Sequence, residues 1–278
     1  MTDSLNLLFS IDDNYLEQLE VTLFSIWHNS DYQQLNVYVF QKKSLEKAED
    51  LARFCQRLGA SYYPIIVDET IFSDAPATKR YPDAIYFRLL AQEFLPHSLD
   101  RILYLDADIL CLNDVSLLYS LDLTGKLYAA ASHVRDGSIV ELFNKFRLNN
   151  HEIEGYFNTG VLLINLEEAR QVIERSDILQ FIKNNKGRLL LPDQDILNGL
   201  YGELVLPIPD EIYNYDARYP KIYFSRSHGE WDMDWLVRNT VFVHFCGTDK
   251  PWKKSLRSLE TTILYKHYQS LTQRFKKS

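Results

Sequence analysis

Cysteine and long apolar runs are scarce in this sequence, and each shortage narrows the class of protein. The three cysteines, Cys55, Cys111 and Cys246, form no Cys-x-x-Cys pair and are odd in number. This usage favours reduced thiols over a disulfide framework and predicts a cytoplasmic protein. No run of about 18 apolar residues is present, so no membrane-spanning helix is expected. The first residues also lack a basic segment followed by an apolar one, so no signal peptide is expected.

Positive charge is in deficit as well. The formal net charge is −8, which argues against nucleic-acid binding because that function needs an electropositive surface. From Val243 onward, however, eight Lys or Arg side chains face only two acidic ones. Apolar residues at helical spacing in this region predict a basic amphipathic helix over residues 255–278, following one domain over residues 1–254. This helix is expected either to expose a solvated charged face or to contact an anionic membrane surface peripherally.

Short apolar runs alternate with helical patterns over most of the chain. The alternation predicts an α/β fold whose mostly parallel central sheet is flanked by helices. The predicted strands are Leu5–Ile11, Leu35–Phe40, Tyr62–Val67, Ile102–Leu105, Tyr128–Ser132, Val161–Asn165, Leu204–Pro207 and Val241–Phe245. The first predicted helices are Tyr15–Asn29, Ser44–Leu58 and Ala84–Phe94. Because such sheets bind ligands at the carboxyl ends of their strands, the polar residues just after each strand are the candidates for function.

Two acids follow the fourth predicted strand, in the stretch "RILYLDADILCLND". Asp106 and Asp108 at i and i+2 of an extended segment would point the same way and converge. Two adjacent carboxylates repel each other unless a cation lies between them, and a hard divalent ion such as Mn²⁺ or Mg²⁺ suits oxygen ligands. The pattern also permits a simple turn cap, or a phosphotransferase of the haloacid-dehalogenase type in which the first Asp is a nucleophile.

A second polar group follows the last predicted strand, in "VFVHFCGTDKPW". His244 is a candidate third metal ligand, although a lone His is more often structural. Cys246 would share a strand face with it, but a thiolate suits softer metals. Gly247 permits a close backbone approach, and Lys250 offers a point charge for a phosphate.

Taken together, these stretches resemble glycosyltransferase family 8, which includes bacterial lipopolysaccharide galactosyl- and glucosyltransferases and the glycogenins. The resemblance covers nearly the whole chain. It is carried by "LLFSIDDNY", "IYFRLLAQEFLP", "ILYLDADIL", "GYFNTGVLLINL", "PDQDILNGL" and "VHFCGTDKPW", in that order. It implies the GT-A fold, a Rossmann-like nucleotide-diphospho-sugar transferase fold, and a retaining transferase that takes a hexose from UDP-galactose or UDP-glucose to a glycan or glycoconjugate acceptor.

The resemblance also implies roles for individual residues. Asp106, Asp108 and His244 would hold Mn²⁺ or Mg²⁺ against the diphosphate of the UDP-sugar. The remaining donor-binding residues implied are Ser10, Asp12, Asn14, Tyr15, Arg88, Ala107, Asn158, Gly247 and Lys250. Asp193 and Gln194 would lie at the reacting sugar, with Gln194 nearest the reacting carbon.

One position departs from the family pattern. Relatives carry an acid shortly after the fifth strand that contacts the donor sugar, whereas "AASHVRDG" offers His133 and Val134 there, with Asp136 two positions on. Because of this difference, the donor sugar could be either galactose or glucose. Two other functions stay open as well: a phosphohydrolase that uses the two acids directly, and an inactive module that only binds UDP-sugars.

Overall fold

A seven-stranded sheet forms the centre of the protein. The computed structural model describes residues 2–72, 83–133, 155–253 and 260–277. Strands of the large sheet follow the spatial order β3-β2-β1-β4-β7-β6-β8. They are β1 (Thr2–Ser10), β2 (Tyr32–Gln41), β3 (Ala60–Ile66), β4 (Arg101–Leu105), β6 (Tyr128–Ser132), β7 (Phe157–Asn165) and β8 (Val205–Ile208).

Six of these seven strands run in the same direction. β1 pairs in parallel with β2 and β4, and β8 pairs in parallel with β6. β7 lies between β4 and β6 and is antiparallel to both. The carboxyl ends of β1, β4 and β6 therefore meet the amino end of β7 at one edge of the sheet. The predicted α/β fold with a mostly parallel central sheet is confirmed.

Helices cover both faces of this sheet. The α-helices are α1 (Leu16–Asn29), α2 (Ala48–Arg57), α3 (Ala91–Phe94), α4 (Ser116–Tyr119), α5 (Leu166–Val172), α6 (Arg175–Asn184), α7 (Pro192–Tyr201), α8 (Asp210–Tyr213), α9 (Pro220–Arg226), α10 (Met233–Asn239) and α11 (Glu260–Lys277). Successive strand residues point to opposite faces, so Leu7 packs in the hydrophobic cluster under α1 and α2 while Leu8 packs in the cluster under α6 and α7. Burial on both faces explains why the inner strands, such as β4, are continuous apolar runs, whereas β3 at the edge of the sheet is largely exposed.

One predicted helix differs in type. Residues Ala84–Phe94 were expected to form a single α-helix, but Asp83–Leu90 is a 3-10 helix and only Ala91–Phe94 is α-helical. Buried residues occupy consecutive positions of this segment, from Tyr86 to Ala91. A segment that is buried on nearly all sides does not display the amphipathic 3.6-residue pattern from which an α-helix is predicted.

A small second sheet stands at the carboxyl edge of the large one. It has the order β5-β10-β9, with β5 (Ile109–Cys111), β9 (Tyr215–Asp216) and β10 (Phe242–His244). β9 was not predicted because two residues are too few to show alternation, and β5 was not predicted because no Gly or Pro separates it from β4 in the sequence. β10, which also has three residues, was predicted as part of the longer apolar run Val241–Phe245. Residues 106–108 form a turn that takes the chain from β4 into β5. The expectation that Asp106 and Asp108 lie on one extended strand is therefore wrong.

The C-terminal helix α11 packs on the same domain. Phe275 packs against Phe24, Trp27 and Phe54 of α1 and α2, with tilted or edge-on rings. The ammonium of Lys276 donates to both carboxylate oxygens of the buried Glu20 at 2.6 Å. The apolar side of this basic helix thus faces the protein. The predicted boundary between residues 254 and 255 lies outside the described residues.

None of the helices within the described ranges combines the length and the apolar character that crossing a bilayer requires.

Candidate functional site

Asp106, Asp108 and His244 converge at the carboxyl edge of the large sheet. The two acids lie in the turn between β4 and β5, and His244 ends β10, which pairs with β5 so that His244 lies opposite Ile109. His244 Nε2 is 3.3 Å from Asp108 Oδ1 and 3.7 Å from Asp106 Oδ2. One ligand atom from each of the three side chains lies within 4.8 Å of the others. The tight turn, rather than an extended strand, brings the carboxylates together.

The electrostatics of this cluster suit a cation. Burial alone would raise the pKa of Asp108, but the charges of His244 and Lys250 hold it below its usual value. Burial would lower the pKa of His244, whereas Cys246 and Asp108 raise it well above its ordinary value. Lys250 Nζ contacts Asp108 Oδ2 and donates to the carbonyl of Phe245 at 2.8 Å. Two carboxylate oxygens and an imidazole nitrogen are a donor set that fits Mn²⁺ or Mg²⁺.

Arg88 links Asp106, the first acid, to Asp193 on α7. Its Nη1 lies 3.0 Å from Asp106 Oδ1 and 3.4 Å from Asp193 Oδ2, and it donates to the carbonyl of Thr159 at 2.9 Å. Its guanidinium also stacks over the ring of Tyr104, whose hydroxyl donates to Asp106 Oδ1 at 2.8 Å. Burial raises the pKa of Asp193, partly offset by Arg88. Asp106 and Asp193 are therefore held by one buried cation.

A glycine allows the metal cluster to close against β7. A Cβ atom on Gly160 would lie 2.2 Å from His244 Cε1 and 2.9 Å from Asp106 Oδ2. The carbonyl of Gly160 also accepts a hydrogen bond from the backbone N–H of Asp106 at 2.8 Å. Any side chain at this position would displace the imidazole or the carboxylate, so the site requires glycine.

Three amide side chains lie beside the cluster. Asn158 Nδ2 donates to Gln194 Oε1 at 2.8 Å, and Asn158 Oδ1 accepts from Asn214 Nδ2 at 2.9 Å. Asn214 Oδ1 lies 2.9 Å from His244 Nδ1. The structure thus brings the predicted residues Asn158, Asp193 and Gln194 to the same edge as the metal cluster.

The residues after β1 lie at this edge too. Asp12 caps the short 3-10 helix Asp13–Tyr15 by accepting from the backbone N–H of Asn14 at 2.9 Å. Tyr15 is 38% exposed and meets Trp252 edge-on, with the ring centroids 6.2 Å apart. Burial raises the pKa of Tyr15, and the charges of Asp108 and Asp106 raise it further. Tyr15 is thus an accessible aromatic ring close to the acids rather than a core residue.

The remaining predicted positions are backbone neighbours of the cluster. Ser10 is the last residue of β1. Ala107 is buried between the two acids, and its carbonyl accepts from the Thr22 hydroxyl at 3.0 Å. Gly247 has φ +83°, a conformation that favours glycine, and a Cβ there would lie 3.3 Å from Arg218 Nη1.

A second cluster comprises His133, Asp216 and Cys246. One ligand atom from each lies within 4.8 Å of the others. Both Asp216 oxygens, however, are held by the guanidinium of Arg218, with Nη2 2.6 Å from Oδ2. Cys246 lies beyond the end of β10 and so is not on a strand, but its side chain lies next to that of His244, as expected. His133 Nε2 is 2.6 Å from the carbonyl oxygen of Asn214. Asp136 lies outside the described residues.

Several residues of the site escaped prediction from the sequence. They are Tyr104, Thr159, Gly160, Asn214, Asp216 and Arg218. Thr159 and Gly160 lie in the quoted stretch "GYFNTGVLLINL". Because they directly follow Asn158, a predicted site residue, the sequence could have indicated them. Asn214 and Asp216 lie in an irregular aromatic region with no recognisable motif, so nothing in the sequence alone distinguishes them.

The large sheet with helices on both faces is the architecture of the GT-A fold. The model of the glycosyl transferase family 8 matches residues 6–255, and the chain belongs to that family. A lipopolysaccharide 1,2-glucosyltransferase of Escherichia coli is 31% identical over 258 residues, which cover 91% of this chain and 74% of that protein. A lipopolysaccharide 1,3-galactosyltransferase of Salmonella typhimurium is 26% identical over 267 residues, covering 90% and 73%.

Solved structures agree on the fold. The galactosyltransferase LgtC, crystallised with donor and acceptor sugar analogs, has a TM-score of 0.79 at 24% identity, and the match covers 96% of each chain. The resemblance stated from the motifs is confirmed. The phosphotransferase alternative loses its basis, since the chain belongs to a transferase family and Asp106 Oδ1 is held by Arg88 and Tyr104 rather than presented as a nucleophile.

Proposed function

We propose that this protein transfers a hexose, galactose or glucose, from its UDP derivative to a hydroxyl group of a saccharide or glycoconjugate acceptor, with retention of anomeric configuration and dependence on Mn²⁺ or Mg²⁺. The observation that carries the proposal is the convergence of Asp106, Asp108 and His244 beside Lys250, at the strand edge where α/β sheets bind ligands. Relatives named for glucosyl and for galactosyl transfer make both sugars candidates.

Asp106, Asp108 and His244 would hold the divalent ion, which supplies positive charge against the departing diphosphate. Lys250 adds an ammonium at the same carboxylate, so a diphosphate bound at the cluster would meet it directly. Tyr15 offers an exposed ring for stacking on uracil, and Asp12 and Asn14 offer polar atoms next to it for the nucleoside. Ser10, Ala107 and Gly247 would let the backbone approach the nucleotide.

Arg88, Asn158, Asp193 and Gln194 would surround the donor sugar. Asp193 is a weak nucleophile because it is buried, accepts from the Thr159 hydroxyl at 2.7 Å and contacts Arg88. The amide of Gln194 is also a weak nucleophile. This arrangement favours front-face attack: the C1–O bond to UDP breaks, the acceptor oxygen bonds C1 on the same face, and its proton passes to the departing phosphate oxygen.

Two segments remain candidates for binding the acceptor. Most of the loop Ile71–Asp83 lies outside the described residues. In the aromatic stretch Tyr213–Trp235, Tyr215 and Tyr223 are buried and stacked on each other, whereas Trp231 and Trp235 form a partly exposed stacked pair. A sugar could therefore stack on the latter pair, or on the exposed rings of Tyr219 and Phe224, but not on the buried pair. Contact between the basic side of α11 and an anionic membrane surface, and a cytoplasmic location at that surface, stay predictions.

The decisive experiment is calorimetric titration of UDP-galactose and UDP-glucose with Mn²⁺ present, followed by an assay for UDP release. We expect one of the two donors to bind more tightly and to release UDP in a metal-dependent reaction. Binding without any turnover, over a panel of glycan acceptors, would instead indicate an inactive UDP-sugar module. Failure of both donors to bind with Mn²⁺ would contradict the proposal.

Removing a metal ligand should abolish metal-dependent turnover. Asp106→Ala and His244→Ala each take one of three donor groups from the cluster, so we expect Mn²⁺ affinity in the presence of UDP to fall at least about 100-fold. Asp122→Ala is the matched control, because this exposed acid only bonds Thr124 in a remote loop. The assignment of the cluster fails if either ligand variant keeps metal-dependent UDP release.

Truncating Gln194 should slow the reaction without weakening donor binding. The side chain accepts one hydrogen bond, from Asn158, and is not fully buried, so Gln194→Ala should leave the fold intact. We expect kcat to fall about 100-fold at an unchanged donor affinity, the effect of losing one polar group at a transition state. Gln180→Ala on the exposed side of α6 is the control. Nearly full transfer by the Gln194 variant would remove this residue from the reaction centre.

A further inference from the structure

A continuous line of amides joins the metal cluster to the residue at the reaction centre. It runs from His244 Nδ1 to Asn214 Oδ1 at 2.9 Å, from Asn214 Nδ2 to Asn158 Oδ1 at 2.9 Å, and from Asn158 Nδ2 to Gln194 Oε1 at 2.8 Å. Asn214 is completely buried. If a buried amide exchanged its oxygen and nitrogen positions, polar atoms would be left unpaired. The hydrogen-bond partners therefore determine which end of the amide faces which neighbour.

The backbone N–H of Gly160 fixes that direction. It lies 2.9 Å from the side chain of Asn158, and because a backbone N–H can only donate, the Asn158 atom that it meets must be the oxygen. The nitrogen of Asn158 then faces Gln194. Asn214 must present its own nitrogen to the Asn158 oxygen, which leaves its oxygen facing His244. An oxygen beside Nδ1 requires a hydrogen on Nδ1.

We propose that Asn214, whose own direction is set by Asn158, is a positioning residue that selects the Nδ1–H tautomer of His244. The inference rests on the proposed function of the metal cluster. In this tautomer the lone pair of His244 Nε2 points to the space shared with Asp106 and Asp108, as a metal ligand must. The other tautomer would place a hydrogen on Nε2, directed at Asp108 Oδ1 and blocking a cation.

The surroundings of Asn214 hold it in place. Its backbone N–H donates to the carbonyl of Asp210 at 3.0 Å, and its own carbonyl lies 2.6 Å from His133 Nε2. It stands directly before β9, which pairs with β10 so that Asp216 lies opposite His244. The competing partner for the imidazole is Cys246, which also raises the pKa of His244. Substituting Asn214 and Cys246 one at a time tests which of them orients the imidazole of His244.

Nitrogen-15 NMR of the histidine side chains, with UDP and diamagnetic Mg²⁺ bound, reads the tautomer directly. His244→Gln identifies the His244 signals among the seven histidines. We expect a hydrogen on Nδ1 and none on Nε2. Asn214→Leu, which removes the acceptor at similar volume, should lower Mn²⁺ affinity about 10- to 100-fold. Asn214→Asp, which keeps an oxygen toward His244 but cannot donate to Asn158, should retain an Mn²⁺ affinity close to that of the wild type.

Two controls complete the design. Asn36→Leu removes another buried amide, bonded to Asn6 in the large sheet, and should leave Mn²⁺ affinity unchanged in the folded protein. Cys246→Ala should also leave Mn²⁺ affinity unchanged. The inference is overturned if Asn214→Leu binds Mn²⁺ like the wild type, if Asn214→Asp is as weak as Asn214→Leu, or if Cys246→Ala alone loses affinity. A wild-type protein that binds no Mn²⁺ with UDP would refute the proposed function instead, and the tautomer of the metal-free protein at alkaline pH would still test Asn214.

Discussion

Gly160→Ala should disable the site although it adds only one methyl group. The new Cβ would lie 2.2 Å from His244 Cε1, closer than atoms approach, and 2.9 Å from Asp106 Oδ2. The backbone of β7 cannot retreat, because Gly160 accepts from Asp106 N and its N–H donates to Asn158. The imidazole must therefore move. Since displacement of a catalytic group by about 1 Å can cost 10²-fold, we expect Mn²⁺ affinity and turnover each to fall about 100-fold.

Gly199→Ala provides the matched control. A Cβ on this helical glycine would lie 2.4 Å from the ring of Phe181, an equally severe overlap outside the metal cluster. Both variants should lose stability through overpacking, by about 1–3 kcal/mol. Only Gly160→Ala should lose Mn²⁺ binding, measured by electron paramagnetic resonance of the free ion at a temperature where both proteins are folded. Equal losses of affinity in the two variants would mean that overpacking in general, and not the position of His244, governs the site.

How far the sequence predicted this site depends on the kind of signal each residue gives. Asp106, Asp108, His244 and Lys250 were found because charged groups at the ends of apolar runs are conspicuous against their surroundings. Gly160 carries no side chain. It matters because the imidazole of His244 and the carboxylate of Asp106 pack against its Cα. Asn214 is an ordinary amide in an irregular stretch, and its partners are 30 and 56 residues away in the chain. Contacts of this kind exist only once the fold has formed.

The same reasoning applies to the architecture. The seven strands of the large sheet were all anticipated. The inner strands are apolar runs because both of their faces are buried, whereas the edge strand β3 is largely exposed and was recognised from its aromatic and β-branched residues. β9 was missed because it has only two residues, and β5 because no Gly or Pro separates it from β4. The turn at Asp106–Asp108 was read as an extended strand because "ILYLDADIL" is apolar on both sides of the acids. The convergence of the carboxylates was nevertheless anticipated, since a tight turn and a strand both bring residues i and i+2 close together.

Arg88→Met should be the most destabilising single change at the site. Arg88 is buried, and it is the cation that Asp106 and Asp193 share. Removing one partner of a buried ion pair leaves uncompensated charge and typically costs about 3–5 kcal/mol. Methionine fills most of the volume over the Tyr104 ring but offers no donor to the Thr159 carbonyl. We also expect a loss of turnover, because Asp106 would no longer be oriented.

The destabilisation of Arg88→Met should depend on pH in a definite direction. Burial already raises the pKa of Asp193 in the wild-type protein, and Arg88 opposes that rise, so the variant should raise it further. A carboxyl whose pKa is higher in the folded than in the unfolded state binds its proton more tightly when folded, so folding becomes more favourable as the pH falls through the folded-state pKa. The difference in unfolding free energy between variant and wild type should therefore shrink from pH 7.5 to pH 5, measured by urea denaturation.

Arg101→Met is the control for this behaviour. Arg101 lies on the same strand, β4, at its opposite end, and its Nη1 donates to the carbonyls of Tyr119 and Leu121 at 3.0 Å. Its loss removes hydrogen bonds to neutral oxygens and should cost about 1–3 kcal/mol. The carboxyl of Asp122, whose pKa is lowered by Thr124 and also by the charge of Arg101, stays ionised over this range, so that cost should not change between pH 5 and pH 7.5. An Arg88 variant whose destabilisation is likewise constant with pH would show that Arg88 contributes through packing and neutral hydrogen bonds, and that the charge of Asp193 is balanced by other groups.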